Sequence, residues 1–356
     1  MITKRKLIKV GSLALGGDAP ITVQSMTNTP SGDFEATYRQ MKALEAAGCD
    51  IIRMAVPDKE AADVLYRLKC SDITMPIVAD IHFNANLAIL AMEAGADKVR
   101  INPGNIGDNE RVKAVARAAT LHGVPIRVGV NSGSLEKDKL SAYGAPTAEA
   151  LAASALENVA LLERYDFDSI VVAIKSSDVK RMVEANRIVA ASCPYPLHLG
   201  VTEAGSELGG TIKSAIGIGS LLLDGIGNTI RVSLTADPVR EVEKGRAILS
   251  ALSLDTKAKI QLVSCPTCGR TKIDLIGLVD AFEKRMSELH PVRRLKVAIM
   301  GCAVNGPGEA RDADIGVAGG IGEALLFSHG KILKKIPEEL VVDELIAAVN
   351  AYRDEI

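Results

Sequence analysis

Residues 50–102 read DIIRMAVPDKEAADVLYRLKCSDITMPIVADIHFNANLAILAMEAGADKVRIN. Three short runs rich in β-branched residues, 50–56, 76–81 and 98–102, alternate here with two helix-like segments, 58–68 and 86–94. The alternation continues on both sides. Further strands are expected at 21–26, 125–130, 169–175, 196–202 and 229–234. Further helices are expected at 34–47, 109–122, 147–163, 178–191, 207–223 and 238–252, with cap chemistry at Ser31/Asp33 and Asp178. Eight strands alternating with eight helices predict an α/β chain built on a parallel (β/α)8 barrel. The longest gap between strand and helix, 131–146, contains two glycines and is expected to be a mobile active-site loop.

At 356 residues the chain is long enough for such a barrel plus a smaller unit. The barrel is assigned to 1–255, with a linker at 256–260 opening the second domain, 256–356. That domain mixes strands (296–300, 315–317, 324–327) with helices (274–289, 341–352) and is read as α+β. A formal net charge of −2 gives no global field for nucleic acid, and 3% aromatic residues without Trp leave little to stack bases on. No apolar run approaches the roughly 18 residues of a membrane helix. The basic N-terminus is followed by too short and glycine-broken an apolar segment for a signal peptide. Six cysteines scattered through a long chain do not read as a disulfide framework, so the cytoplasm is expected. Cys49, Cys70 and Cys193 are expected to be buried spectators.

Polar residues at the C-terminal ends of barrel strands face the catalytic mouth. The second strand carries Arg53. The third ends at Asp80 and His82, two apart and hence on one side of the pleat. The fourth repeats that spacing with Arg100 and Asn102, and the eighth with Arg231 and Ser233. The fifth offers Arg127 and then Asn131, the sixth ends at Lys175, and Glu203 follows the seventh. Four arginines and a lysine converge on one mouth. Internal pairing with Asp80 and Glu203 alone would leave charge uncompensated. Guanidinium forks match phosphate oxygens bidentately, so the mouth suits a ligand with several negative charges, a diphosphate before a carboxylate. His198 falls mid-strand and is read as structural. His122, His290 and His329 are assigned no role. No G-x-G-x-x-G follows a strand and no phosphate-binding G-x-x-x-x-G-K-[ST] occurs, so neither a dinucleotide nor a nucleoside triphosphate is expected.

The second domain carries Cys265-Pro266-Thr267-Cys268 and, behind a strand, Gly301-Cys302-Ala303-Val304-Asn305-Gly306-Pro307-Gly308-Glu309. Three thiols are one ligand short of an all-thiolate iron–sulfur site and equally one short of closed tetrahedral zinc. A lone C-x-x-C also suits a redox dithiol. The third cysteine inside a glycine-rich loop points to a cluster, with Glu309 as the nearest fourth ligand. A carboxylate on soft, sulfide-bridged iron exchanges readily.

CPTC followed by GC-x-x-NGPGE resembles the 4-hydroxy-3-methylbut-2-en-1-yl diphosphate synthase family, iron–sulfur enzymes of the methylerythritol phosphate route to isoprenoids. The GC-x-x-NG element is also similar to cluster loops of sulfite and nitrite reductases. VQSMTNT, ADIHFN, VRINPGNIG, RVGVNSGSL, KSSD, GVTEAG and TIRVSLTADP look like the family's barrel segments in its order, so the resemblance spans nearly the whole chain. The plant-type insertion is missing, as in the shorter bacterial form. The resemblance implies a TIM-type barrel and a [4Fe–4S] cluster on Cys265, Cys268 and Cys302, its unique iron ligated at rest by Glu309. It implies a cyclic diphosphate substrate held by Arg53, His82, Arg100, Arg127, Asn131, Lys175, Arg231 and Ser233. Glu203 is the candidate proton donor for a departing hydroxyl, while Asp80 and Asn102 are read as orienting neighbours. Ferredoxin or flavodoxin is the implied electron donor, and a homodimer the implied assembly, each cluster domain capping the partner's barrel.

Overall fold

The computed structural model describes residues 4–353 apart from 83, 103, 105, 292 and 303–309. The chain divides into two units, Met1–Asp255 and Thr256–Ile356.

The first unit is a closed barrel. After an antiparallel hairpin, β1 (Ile8–Val10) and β2 (Leu13–Leu15), come eight parallel strands. They are β3 (Thr22–Met26), β4 (Ile51–Ala55), β5 (Ile77–Asp80), β6 (Lys98–Ile101), β7 (Ile126–Asn131), β8 (Ile170–Lys175), β9 (His198–Leu199) and β10 (Thr229–Ile230). Neighbours in sequence pair in register, β10 returns to β3, and a parallel bridge between Val172 and Leu197 closes β8 onto β9. The last two strands are short because β9 and β10 each carry only two ladder residues, although the Arg231 N–H still donates to the Leu199 carbonyl at 2.9 Å.

Helices α1 (Phe34–Ala46), α2 (Lys59–Lys69), α3 (Ala85–Glu93) and α4 (Asn109–His122) follow the first four barrel strands. After β7 come a short helix, α5 (Lys137–Tyr143), and then α6 (Ala148–Glu163). The last three are α7 (Val179–Ser192), α8 (Glu207–Leu223) and α9 (Pro238–Ala251). Every one of these except α5 begins with a side chain that accepts from its own first turn: Asp33, Asp58, Asn84, Asp108, Thr147, Asp178, Ser206 and Asp237. Each cap is worth about 1 kcal/mol and stops the loop at a defined residue, which holds the strand ends in place.

Two features differ from expectation. The segment 131–146 is not a bare loop: it folds into a 3-10 turn, Ser132–Ser134, and α5. Glu136, between them, accepts from the Ser154 hydroxyl at 2.7 Å and the Asn158 amide at 3.2 Å on α6, which ties the segment down. The hairpin β1–β2 was not foreseen, since three-residue strands carry too little period to read. It supplies the barrel's floor. Ile8, Val10 and Leu15 pack against Ile51, Val78 and Val171, which point inward near the N-terminal ends of β4, β5 and β8.

The second unit is a five-stranded mixed sheet ordered β11 (Ile260–Ser264), β12 (Leu295–Met300), β13 (Ile315–Gly319), β14 (Glu323–Ser328) and β15 (Lys331–Pro337). The first three strands are parallel and the last two run antiparallel. Helices α10 (Leu275–Lys284) and α11 (Val341–Ala351) bury Phe282, Leu345 and Val349 against Val297, Ile299, Val317 and Leu326. Residue 260, expected in the linker, opens β11, which was not expected as a strand, and β15 went unread because only Ile336 of its seven residues is buried.

Leu15 is fully buried in the floor, so Leu15→Ala is expected to destabilise the barrel by roughly 2–5 kcal/mol, against under about 0.5 kcal/mol for exposed Leu121→Ala. Urea unfolding followed on the barrel's own transition measures both. Equal midpoints for the two variants would contradict the role given to the hairpin.

Candidate active site

The mouth of the barrel is a cleft of about 490 Å³, its solvent-open part included, lined by Arg53, Asp80, His82, Arg100, Arg127, Gly129, Asn131, Ala173, Lys175, Thr202, Arg231 and Ser233. All eight residues named from the strand ends as ligand contacts are therefore in one cavity. The period-two pattern explains this: in-register partners Asp80↔Arg100 and Arg100↔Arg127 place inward side chains of neighbouring strands at one height.

Asp80, 3% exposed, is the hub of one side. Its Oδ1 lies 3.3 Å from Arg100 Nη1, and its Oδ2 lies 3.3 Å from His82 Nε2 and 4.0 Å from Arg53 Nε. Burial alone would raise its pKa; Arg53, the His82 hydrogen bond, Arg100 and Arg127 outweigh that and hold it well below the usual carboxylate range. Arg100 Nη2 also reaches the Gly129 carbonyl at 3.4 Å, and with its amide oxygen and nitrogen exchanged Asn131 accepts from the same nitrogen at 3.2 Å. Gly129 is required here, because a Cβ at that position would stand 2.4 Å from Arg100 Nε. Gly200 does the same for the opposite wall: its Cβ would meet Lys175 Nζ at 3.0 Å and the Arg231 carbonyl at 2.6 Å.

The cations are crowded and largely dry. Burial lowers Arg53 to about 10, with Asp80 opposing and Arg231 and Arg100 adding to the fall. Lys175 lies well below the usual lysine range, first through burial and then through Arg231, Arg53 and Arg127. Lys98, one pleat below Arg100 and fully buried, is lowered in the same way by burial, Arg127 and Arg53. Arg127 spans the barrel to Gln24, its Nη1 donating to Oε1 at 3.2 Å. His198 is buried among these cations, its Nδ1 3.4 Å from Thr229 Oγ1, and its pKa is lowered by burial and by Arg127.

The second carboxylate buried beside the mouth's cations is Glu241, which, like Glu203, is not itself a lining residue of the cavity. Glu241, on α9 and 4% exposed, pairs with Arg231 at 3.2 Å. Glu203 is exposed, sits at φ +51° in the loop after β9, and is not among the cavity's lining residues, although its neighbour Thr202 is. Glu241 was missed because an acidic residue in a helix's first turn ordinarily serves the helix dipole in solvent. Lys98 and Gln24 were legible in principle. They keep the inward period of Arg100 and Met26.

In the second unit, Cys265 follows β11 and Cys302 follows β12, and these two strands are parallel neighbours with Ser264 opposite Ile299. Both cysteines thus emerge at the same edge. The Gly301 N–H donates to Cys265 Sγ at 3.2 Å, and Lys272, just beyond the C-x-x-C turn, donates its N–H to the Gly301 carbonyl at 3.0 Å. A side chain at Gly301 would meet Thr271 at 2.9 Å, so glycine permits the two cysteine-bearing loops to touch. The Cys268 thiol is drawn below its ordinary value, chiefly by the Arg270 backbone amide. Amide donors to sulfur, as at Cys265, are what a thiolate-bound centre needs. Among the described residues no three His, Cys, Asp or Glu side chains converge as they would on a single metal ion. Glu309 lies outside the described residues. Of the other cysteines, Cys49 is buried, its thiol pushed up to about 12 by burial; Cys193 is half-buried; Cys70 is exposed at the end of α2, contrary to expectation.

Residues 5–246 match the GcpE TIM-barrel domain and residues 261–351 the GcpE protein C-terminal domain. The chain belongs to the GcpE family. Proteins named 4-hydroxy-3-methylbut-2-en-1-yl diphosphate synthase (flavodoxin) match it end to end. That of Caldanaerobacter subterraneus subsp. tengcongensis is 55% identical over 98% of both chains. That of Ruminiclostridium cellulolyticum is 54% identical over 97% of both, and that of Geobacter sulfurreducens 54% over 98% of both. The family expected from the CPTC and NGPGE motifs is thus the family found. Among solved structures, a Yersinia pestis dihydropteroate synthase in complex with a sulfonamide drug covers 70% of this chain and all of its own at 13% identity and a TM-score of 0.51. That likeness is one of barrel fold. GcpE membership, by contrast, covers both units.

Crowded cations give the mouth a pH signature. A cyclic diphosphate diester carries no proton of its own near neutrality, and its charge raises the depressed Lys175 toward the ordinary range. The complex then holds more protons than the free protein, so binding is expected to strengthen as pH falls and to weaken as pH rises through the bound-state value. Calorimetry across a pH series in buffers of different ionisation enthalpy should register proton uptake, diminished in Lys175→Met. Buffer-independent heats would refute it.

Proposed function

We propose that the chain catalyses the two-electron reductive ring opening and dehydration of 2-C-methyl-D-erythritol 2,4-cyclodiphosphate to 4-hydroxy-3-methylbut-2-enyl diphosphate. Two electrons and two protons enter, the ring C–O bond to phosphate breaks, and one water leaves. The observation that carries the proposal is the mouth itself: Arg53, Arg100, Arg127, Lys175 and Arg231 face one cavity whose lining holds a single carboxylate, Asp80. The chain around it is 54–55% identical, end to end, to proteins bearing the synthase name.

The barrel residues bind and orient. The guanidiniums of Arg53, Arg100, Arg127 and Arg231 with Lys175 take the two phosphates, and Asn131, His82 and Ser233 add polar side chains on the same cavity wall. With the ligand bound and Lys175 protonated by it, their charge is in place and desolvated, so the negative charge that develops on the departing phosphate oxygen meets fixed cations and needs no solvent reorganisation. Asp80 holds Arg100 and His82 at hydrogen-bonding distance and keeps Arg53 beside them. Glu203, exposed in the loop after β9 and next in sequence to the lining residue Thr202, is the proton donor assigned to the departing hydroxyl.

The second unit is proposed to hold a [4Fe–4S] cluster through Cys265, Cys268 and Cys302, with Glu309 as the exchangeable fourth ligand. Such a cluster supplies electrons singly, received from flavodoxin or ferredoxin. The strand-edge placement of Cys265 and Cys302, the amide on Cys265 Sγ and the low-lying Cys268 thiol fit that donor set. The working assembly is a homodimer of the cytoplasm in which each cluster domain serves the partner's barrel.

Protein purified without oxygen is expected to be brown, with iron and acid-labile sulfide and no zinc, and to turn over the cyclodiphosphate with an artificial one-electron donor. A colourless zinc protein would end the proposal. Lys175→Ala should lower kcat/KM about 10- to 100-fold, the worth of a charged hydrogen bond, with cluster absorbance unchanged. Mixed Lys175→Ala and Cys302→Ala chains should recover activity in verified heterodimers; none recovered would count against cross-chain sites.

A further inference from the structure

Arg231 stands alone among the mouth arginines in having a buried carboxylate of its own from outside the barrel strands. Glu241 Oε2 lies 3.3 Å from Arg231 Nε and 3.2 Å from Nη2, and Oε1 lies 3.4 Å from Nη2, a two-oxygen clasp on one edge of the guanidinium. The carboxylate is itself held. Oε1 accepts from the Leu234 N–H at 3.0 Å, and Oε2 accepts from the Ser25 hydroxyl at 3.3 Å. Three elements, β3, the chain after β10, and the first turns of α9, therefore meet on one buried side chain. The clasp occupies Nε and Nη2. Nη1 is left with the Met26 thioether at 3.7 Å, a weak acceptor that an anionic oxygen outcompetes.

We propose that Glu241 is the positioning residue for Arg231: it locks the guanidinium in the orientation that offers Nη1 to a ligand phosphate, and so sets the affinity of the mouth for its diphosphate. This rests on the diphosphate reading of the mouth. Glu241 touches no reacting atom. Two opposite effects follow from removing its charge, and their signs differ. If Glu241 only balances charge, neutralising it makes the mouth more positive and tightens an anion. If it orients Arg231, neutralising it frees a long side chain that must be re-ordered on binding, and the anion is held more weakly.

The test is equilibrium binding of the cyclodiphosphate to anaerobic holoenzyme without reductant, for wild type, Glu241→Gln, Arg231→Met and the double variant. Glu241→Gln is expected to raise Kd about five- to tenfold, the cost of ordering one rotamer-rich side chain. Arg231→Met is expected to raise it at least as much. In the double variant the Gln substitution should add nothing beyond about twofold, because its effect passes through Arg231. Unchanged or tighter binding in Glu241→Gln overturns the assignment, as do losses that multiply in the double variant. Wild-type affinity in Arg231→Met overturns the diphosphate reading of the mouth itself and this assignment with it. If Glu241→Gln does not fold, Glu241→Asp, one methylene short of the clasp, carries the same comparison with the same expected direction.

Discussion

Positive charge held out of water governs this molecule. Five cationic side chains open onto one cavity, a sixth, Lys98, lies beneath them, and among the described residues Asp80 and Glu241 are the counter-charges buried with them. Burying cations without equal numbers of anions is costly, and the depressed values of Lys98, Lys175 and Arg53 express that cost. The stability of an eight-stranded barrel and its helix caps carries the strain. A multiply charged anion placed among these side chains supplies the counter-charge the cavity lacks.

The two counter-charges divide the work. Asp80 is shared among Arg53, His82 and Arg100, which sets the relative placement of three groups at a time. Glu241 clasps a single partner, Arg231, from a helix. Glycines at 129 and 200 complete the arrangement by leaving room for Arg100 and Lys175 where any side chain would collide. The cavity is thus shaped as much by small residues in the wall as by the charged ones that face it.

Barrel, strand order and the cationic mouth were legible in the sequence because each is written in a short period. Asp80/His82, Arg100/Asn102 and Arg231/Ser233 keep alternate positions on strands whose flanks are apolar, and strand geometry turns that spacing directly into a shared face. Glu241 was not legible: its burial depends on how α9 packs against β3, which no local pattern reports. The hairpin β1–β2 was lost for the opposite reason, being too short to show any period, and β15 because a nearly all-exposed edge strand lacks the apolar alternation by which strands are recognised. The segment 131–146 read as loose since its anchoring contacts, from Glu136 to Ser154 and Asn158, lie about twenty residues downstream.

The hairpin that floors the barrel precedes every barrel strand in the chain, yet one of its partners, Val171, is synthesised far later. Until β8 has emerged, Ile8, Val10 and Leu15 have no complete surface to cover, and an apolar hairpin must wait in solvent or on a chaperone. Barrel closure is therefore a single late event of long sequence separation, slow by nature and shared by both ends of the domain. A nascent chain that stalls before β8 exposes the very residues that would otherwise be its most protected.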